Sequence, residues 1–135
     1  MIPAGCPELR KAFFNHHCVS NTGNKDSHRL LLFYGLECGL KAAYLRRNGI
    51  NNTNQISNKE LQSSHDLFLF IKELKLPAQT AGASPPSFRL RRDGTALLIE
   101  KAHEVWRYGI VIKEDDAQEL DKWMHDIHAW VKENL

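Results

Sequence analysis

The longest run of apolar positions in the chain extends from Ser27 to Asn48 and covers almost every direction around a helix. A helix that is apolar all round is normally buried. Asp26 or Ser27 offers an N-cap and Gly49 a C-terminal stop. Charged residues interrupt the run well short of the roughly 20 apolar residues that cross a membrane. The pattern predicts one continuous central helix in a soluble bundle.

Three other segments place apolar residues at helical spacing. The first covers residues 7–20, and the second begins at a Ser64 cap and ends near residue 75. The last is an amphipathic helix near the end of the chain, where Asp116 and Glu119 have the spacing of a capping box. Together with the central helix, these segments predict an all-α protein.

The segment between residues 88 and 108 allows two interpretations. Residues 88–92 alternate apolar and basic side chains and lead into Asp93-Gly94, a pair that often forms hairpin turns. We favour Asp93 as the N-cap of a helix over residues 95–108, because an isolated strand pair is only marginally stable. A short hairpin near residues 88–99 is the alternative.

Four motifs in order along the chain resemble those of the HEPN superfamily of small helical proteins. The first is the decapeptide from Tyr34 to Ala43, YGLECGLKAA. Residues 64–67, residues 106–108 and the closing amphipathic helix follow it. The resemblance implies a HEPN-like up-and-down bundle of about five helices, often dimeric. It also implies an association with RNA cleavage or nucleotide binding in bacterial toxin–antitoxin and phage-defence systems.

Composition adds few constraints. The 135 residues are enough for one domain, over residues 1–135, and the net charge of +2 is too small to indicate nucleic acid by itself. Three cysteines without C-x-x-C spacing favour a reducing cytosol over a disulfide framework. We therefore expect a cytoplasmic protein with no membrane segment, no metal and no cofactor.

HEPN ribonucleases use an Arg that is followed four to six residues later by a His, and this sequence contains one such spacing. Here Arg10 precedes His16 by six residues and His17 by seven, and helical geometry favours His17. A His can move the proton of a ribose hydroxyl, and an Arg can hold charge on the phosphate. These three are the predicted catalytic residues. In the alternative interpretation, Arg10 is solvated and a His packs against the helix edge.

Charged residues set among apolar ones predict a polar pocket. An unpaired buried charge is costly, so we expect Arg107 to pair with Glu37 and Asp66 with Lys41. Asp66 also suits the start of a helix. The predicted pocket comprises Glu37, Lys41, His65, Asp66, Arg107 and Tyr108. The alternative is a buried network that fixes the register of the helices.

A basic cluster, Arg89, Arg91 and Arg92, has the composition of a phosphate-binding surface, although solvated charges are a common alternative. The leading functional prediction is an RNA- or nucleotide-associated HEPN-like component of a bacterial defence or toxin–antitoxin system. If it is an enzyme, it is a metal-independent endoribonuclease. The alternative is a non-catalytic interaction subunit. Its expected partners are RNA and a second copy or a larger complex.

Overall fold

The described part of the chain contains six α-helices, two short 3₁₀ helices and one two-stranded hairpin. The computed structural model describes residues 3–20, 25–63, 65–77 and 85–135, and of residues 17–20, 25 and 63 it describes the backbone alone. The helices are α1 Cys6–Ser20, α2 Lys25–Asn48, α3 Lys59–Ser63, α4 Leu67–Leu74, α5 Ala102–Arg107 and α6 Glu114–Glu133. The strands are β1 Phe88–Arg89 and β2 Ala96–Leu97, and the 3₁₀ helices are Thr53–Gln55 and Ile99–Lys101. Among these helices, none combines the length and apolar character needed to cross a membrane.

Helix α2 is the centre of the fold, as the apolar run predicts. It continues without a break through both of its glycines, and none of residues 28–45 is exposed. It packs against α1, α4, α5 and α6. At 1.5 Å per residue its 24 residues extend for roughly 36 Å, about the diameter of a small domain. The prediction of one buried, continuous central helix is confirmed.

Close packing at Gly39 explains one of the glycines within α2. A Cβ atom placed there would lie 2.6 Å from Cγ1 of Val131 on α6 and 2.7 Å from Cδ1 of Phe13 on α1. Both distances are far inside van der Waals contact. The missing side chain therefore lets three helices meet at one point of the core.

The favoured helix over residues 95–108 is wrong, and the hairpin alternative is confirmed. Phe88 pairs with Leu97 in an antiparallel register. Asp93, expected as an N-cap, instead accepts a 2.9 Å hydrogen bond from the Thr95 backbone N–H inside the turn. Helix α5 begins only at residue 102, after a 3₁₀ turn. The pairing is not isolated, because Leu90 also forms an antiparallel bridge with Ile112.

The starts of two other helices differ in detail from the predictions. Helix α4 begins at residue 67 and is capped by Asp66, whose carboxylate accepts a 3.0 Å hydrogen bond from the Phe68 N–H; Ser64 lies outside the described residues. Helix α6 begins at residue 114, so that Asp116 lies within its first turn and is not a cap. The carboxylate of Asp116 is used instead by the hairpin.

Candidate active site around Glu37 and His65

A buried carboxylate on α2 is hydrogen-bonded to an exposed imidazole just before α4. Oε1 of Glu37 lies 2.8 Å from Nδ1 of His65. The Glu37 side chain is 10% exposed, whereas that of His65 is 56% exposed. The ring is thus held from its buried side and presented to solvent. This pair brings together two residues of the predicted pocket.

Arg107 does not pair with Glu37, so the expected ion pair is wrong. Its guanidinium instead donates a 2.9 Å hydrogen bond to the hydroxyl of Tyr34. This contact raises the pKa of Arg107, and the neighbouring Tyr108 adds to the effect. Tyr34 precedes Glu37 by three residues, so it lies on the same face of α2, about 4.5 Å away along the helix axis. Arg107 therefore binds to the face of α2 that also carries Glu37.

A second histidine, His103, lies next to His65 and was not among the predicted pocket residues. We refer to Glu37, His65, His103 and Arg107 as the cluster. It is 7% exposed, and its ring centre lies 5.1 Å from that of His65. The His103 ring also stacks on the ring of Phe33, with the ring centres 5.5 Å apart. His103 precedes Arg107 by four residues, a helical spacing that places both side chains on one face of α5.

Burial favours the neutral form of His103. Desolvation lowers its pKa from the ordinary 6.5, and the nearby charges of His65 and Arg107 lower it further. The Glu104 carboxylate and the backbone of Glu100 oppose this shift. Nδ1 of His103 is buried and makes no hydrogen bond of normal geometry. Buried polar atoms without a hydrogen bond are uncommon in folded proteins.

Lys41 and Asp66 do not form the ion pair expected of them. Among the ion pairs of the described residues, none joins Lys41 to Asp66, and the Asp66 carboxylate caps α4. The capping prediction for Asp66 is thus confirmed. Lys41 is half-buried one turn beyond Glu37. Of the six predicted pocket residues, Glu37, His65 and Arg107 form the cluster, and Tyr108 adjoins it.

The predicted catalytic residues Arg10 and His16 both lie on α1 but differ in their exposure to solvent. Arg10 is exposed on α1, and its guanidinium carbon lies 5.7 Å from the ring centre of Phe14. His16 is half-buried, and the side chain of His17 lies outside the described residues. Their catalytic role stays a prediction.

The three basic residues of the hairpin have different environments. Arg89 forms a two-point ion pair with Asp116, with Nε–Oδ2 and Nη2–Oδ1 distances of 3.0 and 3.1 Å. Its guanidinium is therefore committed to holding the hairpin on α6. Arg92 lies 3.7 Å from Asp93, and Arg91 makes no ion pair with any described residue. Of the three, Arg91 is the most available to a ligand.

The cluster contains the groups that acid–base chemistry requires. A carboxylate opposite Nδ1 of His65 favours the tautomer that carries its proton on Nδ1, and in that tautomer the lone pair of Nε2 can accept another proton. Arg107 adds a permanent positive charge beside it. Among the described side chains, no three His, Cys, Asp or Glu residues are placed to hold a metal ion together.

The chain matches no known family model, no curated protein and no solved structure.

Proposed function

We propose that this protein is an RNA-associated, HEPN-like component of a bacterial defence or toxin–antitoxin system and that it cleaves RNA without a metal ion. The resemblance of the α2 motif supplies the biological setting. The chemistry rests on one observation, the 2.8 Å contact between the buried Glu37 carboxylate and the exposed His65 ring. The Glu37–His65 pair is now the leading catalytic hypothesis. It takes the place of the earlier hypothesis, in which Arg10 acts together with His16 or His17.

The reaction that suits these groups is transfer of the phosphate within the RNA strand. Nε2 of His65 takes the proton of a ribose 2′-hydroxyl, and the 2′-oxygen attacks the adjacent phosphorus. The bond from phosphorus to the 5′-oxygen breaks, and that oxygen takes a proton from solvent. Arg107 binds the non-bridging oxygens, where negative charge accumulates. The products are a 2′,3′-cyclic phosphate and a 5′-hydroxyl end.

The test is cleavage of RNA by the purified protein in the presence of a chelator, with the ends of the products identified. Removing a general base typically costs about 10²–10⁴-fold in rate, and we expect this loss for His65→Ala. His16→Ala is the matched control, a half-buried histidine on α1. Melting curves of both variants establish that they are folded.

The outcomes separate three interpretations. Loss of cleavage in His65→Ala and not in His16→Ala supports the proposed centre. The reverse result returns catalysis to α1 and contradicts the proposal. No cleavage by the wild-type protein also contradicts it and favours the interaction subunit.

A further inference from the structure

Tyr108 adjoins the candidate active site through Arg107. The guanidinium carbon of Arg107 lies 5.9 Å from the Tyr108 ring centre, and the same guanidinium binds the Tyr34 hydroxyl at 2.9 Å. The Tyr108 residue is 67% exposed, although it carries a large aromatic ring. An exposed ring beside a permanent cation is the arrangement on which proteins stack bases of single-stranded nucleic acids.

A groove begins directly after Tyr108 and follows the chain toward the hairpin. Gly109 adopts a left-handed φ of 69°, which turns the chain sharply away from the end of α5. The Arg91 backbone N–H then donates a 2.9 Å hydrogen bond to the carbonyl of Val111. The groove is lined by Arg91, Arg92, Gly109, Ile110 and Val111.

The two arginines that line this groove differ in how far a nearby carboxylate neutralises their positive charge. Arg91 is exposed and makes no ion pair with any described residue, whereas Arg92 is partly neutralised by Asp93 at 3.7 Å. A phosphate that enters the groove therefore meets its strongest positive charge at Arg91. Tyr108 immediately precedes Gly109, which lines the groove, so the ring lies near one end of the groove and an extended RNA strand is long enough to contact both.

We propose that Tyr108 stacks a base next to the cleaved bond and that Arg91, with a smaller contribution from Arg92, binds the phosphates that follow along the groove. This subsite rests on the proposed function for its ligand, RNA. It requires unpaired nucleotides, because a base within a duplex cannot lie flat on the ring of Tyr108.

The experiment measures binding separately from cleavage. The probe is a fluorescent single-stranded oligoribonucleotide that is 2′-O-methylated at every position and therefore lacks the attacking hydroxyl. From typical stacking contributions, Tyr108→Ala should bind it roughly 5-fold to 100-fold more weakly by anisotropy. Tyr108→Phe keeps the ring and should bind as the wild type does.

The salt dependence of binding tests the role of the arginines. Each phosphate contact on a single strand contributes about 0.7 to the slope of log K against log salt. Arg91→Ala should lower the slope by about this amount, and Arg92→Ala by less, because Asp93 already compensates Arg92. Arg46→Ala is the matched control, an exposed arginine at the far end of α2.

Normal melting curves are required of every variant. Weaker binding in Tyr108→Ala and Arg91→Ala, with normal binding in Tyr108→Phe and Arg46→Ala, supports the subsite. Absence of binding by the wild type overturns it, and so does unchanged binding by Tyr108→Ala. Binding that depends on Tyr108 in a wild-type protein that does not cleave RNA would reject the proposed catalysis and retain the subsite.

Discussion

Two carboxylates of this protein are almost equally buried, yet their partners differ in kind. The Glu37 side chain is 10% exposed and that of Asp116 is 11% exposed. Each reaches a side chain that is about half exposed, His65 at 56% and Arg89 at 50%. Burial alone therefore does not distinguish the two pairs.

The difference lies in how completely each carboxylate is satisfied. Asp116 accepts hydrogen bonds from the Arg89 backbone N–H and from two nitrogens of its guanidinium, at 2.9–3.1 Å. Arg89 stays charged at any physiological pH, so this pair is permanent. Glu37 instead faces a single nitrogen of His65, and the other ring nitrogen of this half-exposed side chain is left for a ligand. One pair therefore holds the hairpin in place, and the other is suited to chemistry.

The largest predicted effect is on the cleavage rate of Glu37→Gln. An amide can donate to Nδ1 of His65 and so move the ring proton to Nε2, the atom that must accept the proton from RNA. We expect the rate to fall on the order of 10²-fold or more, by analogy with an amide that fixes the wrong tautomer in a serine-protease triad. The measurement is single-turnover cleavage of RNA.

Asp116→Asn is the control for that variant, because it makes the same chemical change in the other pair. Its rate per folded molecule should stay close to that of the wild type. Equal losses of activity in the two variants would show that the pairs do not differ in function.

The second prediction concerns the stability of the fold. Here we expect the larger effect from the Arg89–Asp116 pair and the smaller one from the Glu37–His65 pair. Arg89, above all through its side-chain hydrogen bonds, lowers the pKa of Asp116 from the ordinary 3.8. A lowered pKa stabilises the folded state above pH 3.8, and this contribution is lost as the pH falls through the folded value. Asp116→Asn should therefore melt several degrees below the wild type at pH 7, with the gap closing below about pH 4.

Asp115→Asn removes a charge from the same turn of α6 and leaves the hydrogen bonds between Arg89 and Asp116 in place. It should melt close to the wild type at both pH values. A gap for Asp116→Asn that persists unchanged at pH 3 would mean that ionisation of this carboxylate does not stabilise the hairpin.

Local pattern was enough to predict the long elements. Helix α2 and most of α1, α4 and α6 follow from helical spacing of apolar residues, which depends on near neighbours in sequence. The Asp93-Gly94 pair is different, because the same residues suit a helix start and a hairpin turn. The bridge between Leu90 and Ile112 favours the turn. These two residues are 22 positions apart, so their pairing cannot be predicted from the local sequence.

Partners of charged residues were harder to predict for the same reason. Apolar surroundings show that Glu37 needs a partner, but they do not distinguish Arg107 from His65. Asp116 has the spacing of a cap, yet its carboxylate binds a residue 27 positions away. The spacing of four residues between His103 and Arg107 is the one signal in the sequence that places His103 on the pocket face of a helix.

The smallest predicted effect concerns His103, which lies buried behind His65. Burial lowers its pKa below the ordinary 6.5, so in acid the unfolded chain binds a proton that the folded chain resists. The folded state therefore loses stability as the pH falls below about 6.5, and the loss levels off below the folded value. The resulting fall in Tm should be of the order of a few degrees at most.

His103→Phe isolates this contribution, because phenylalanine preserves the aromatic stack between Phe33 and His65 and carries no proton. The variant should lose less Tm than the wild type between pH 7.5 and 5.5. At pH 7.5 it should melt close to the wild type, since Nδ1 of His103 makes no hydrogen bond of normal geometry that the variant would lose. The variant keeps the side chains of both carboxylate pairs. A variant that follows the wild type over the whole pH range would show that protonation of His103 does not oppose folding.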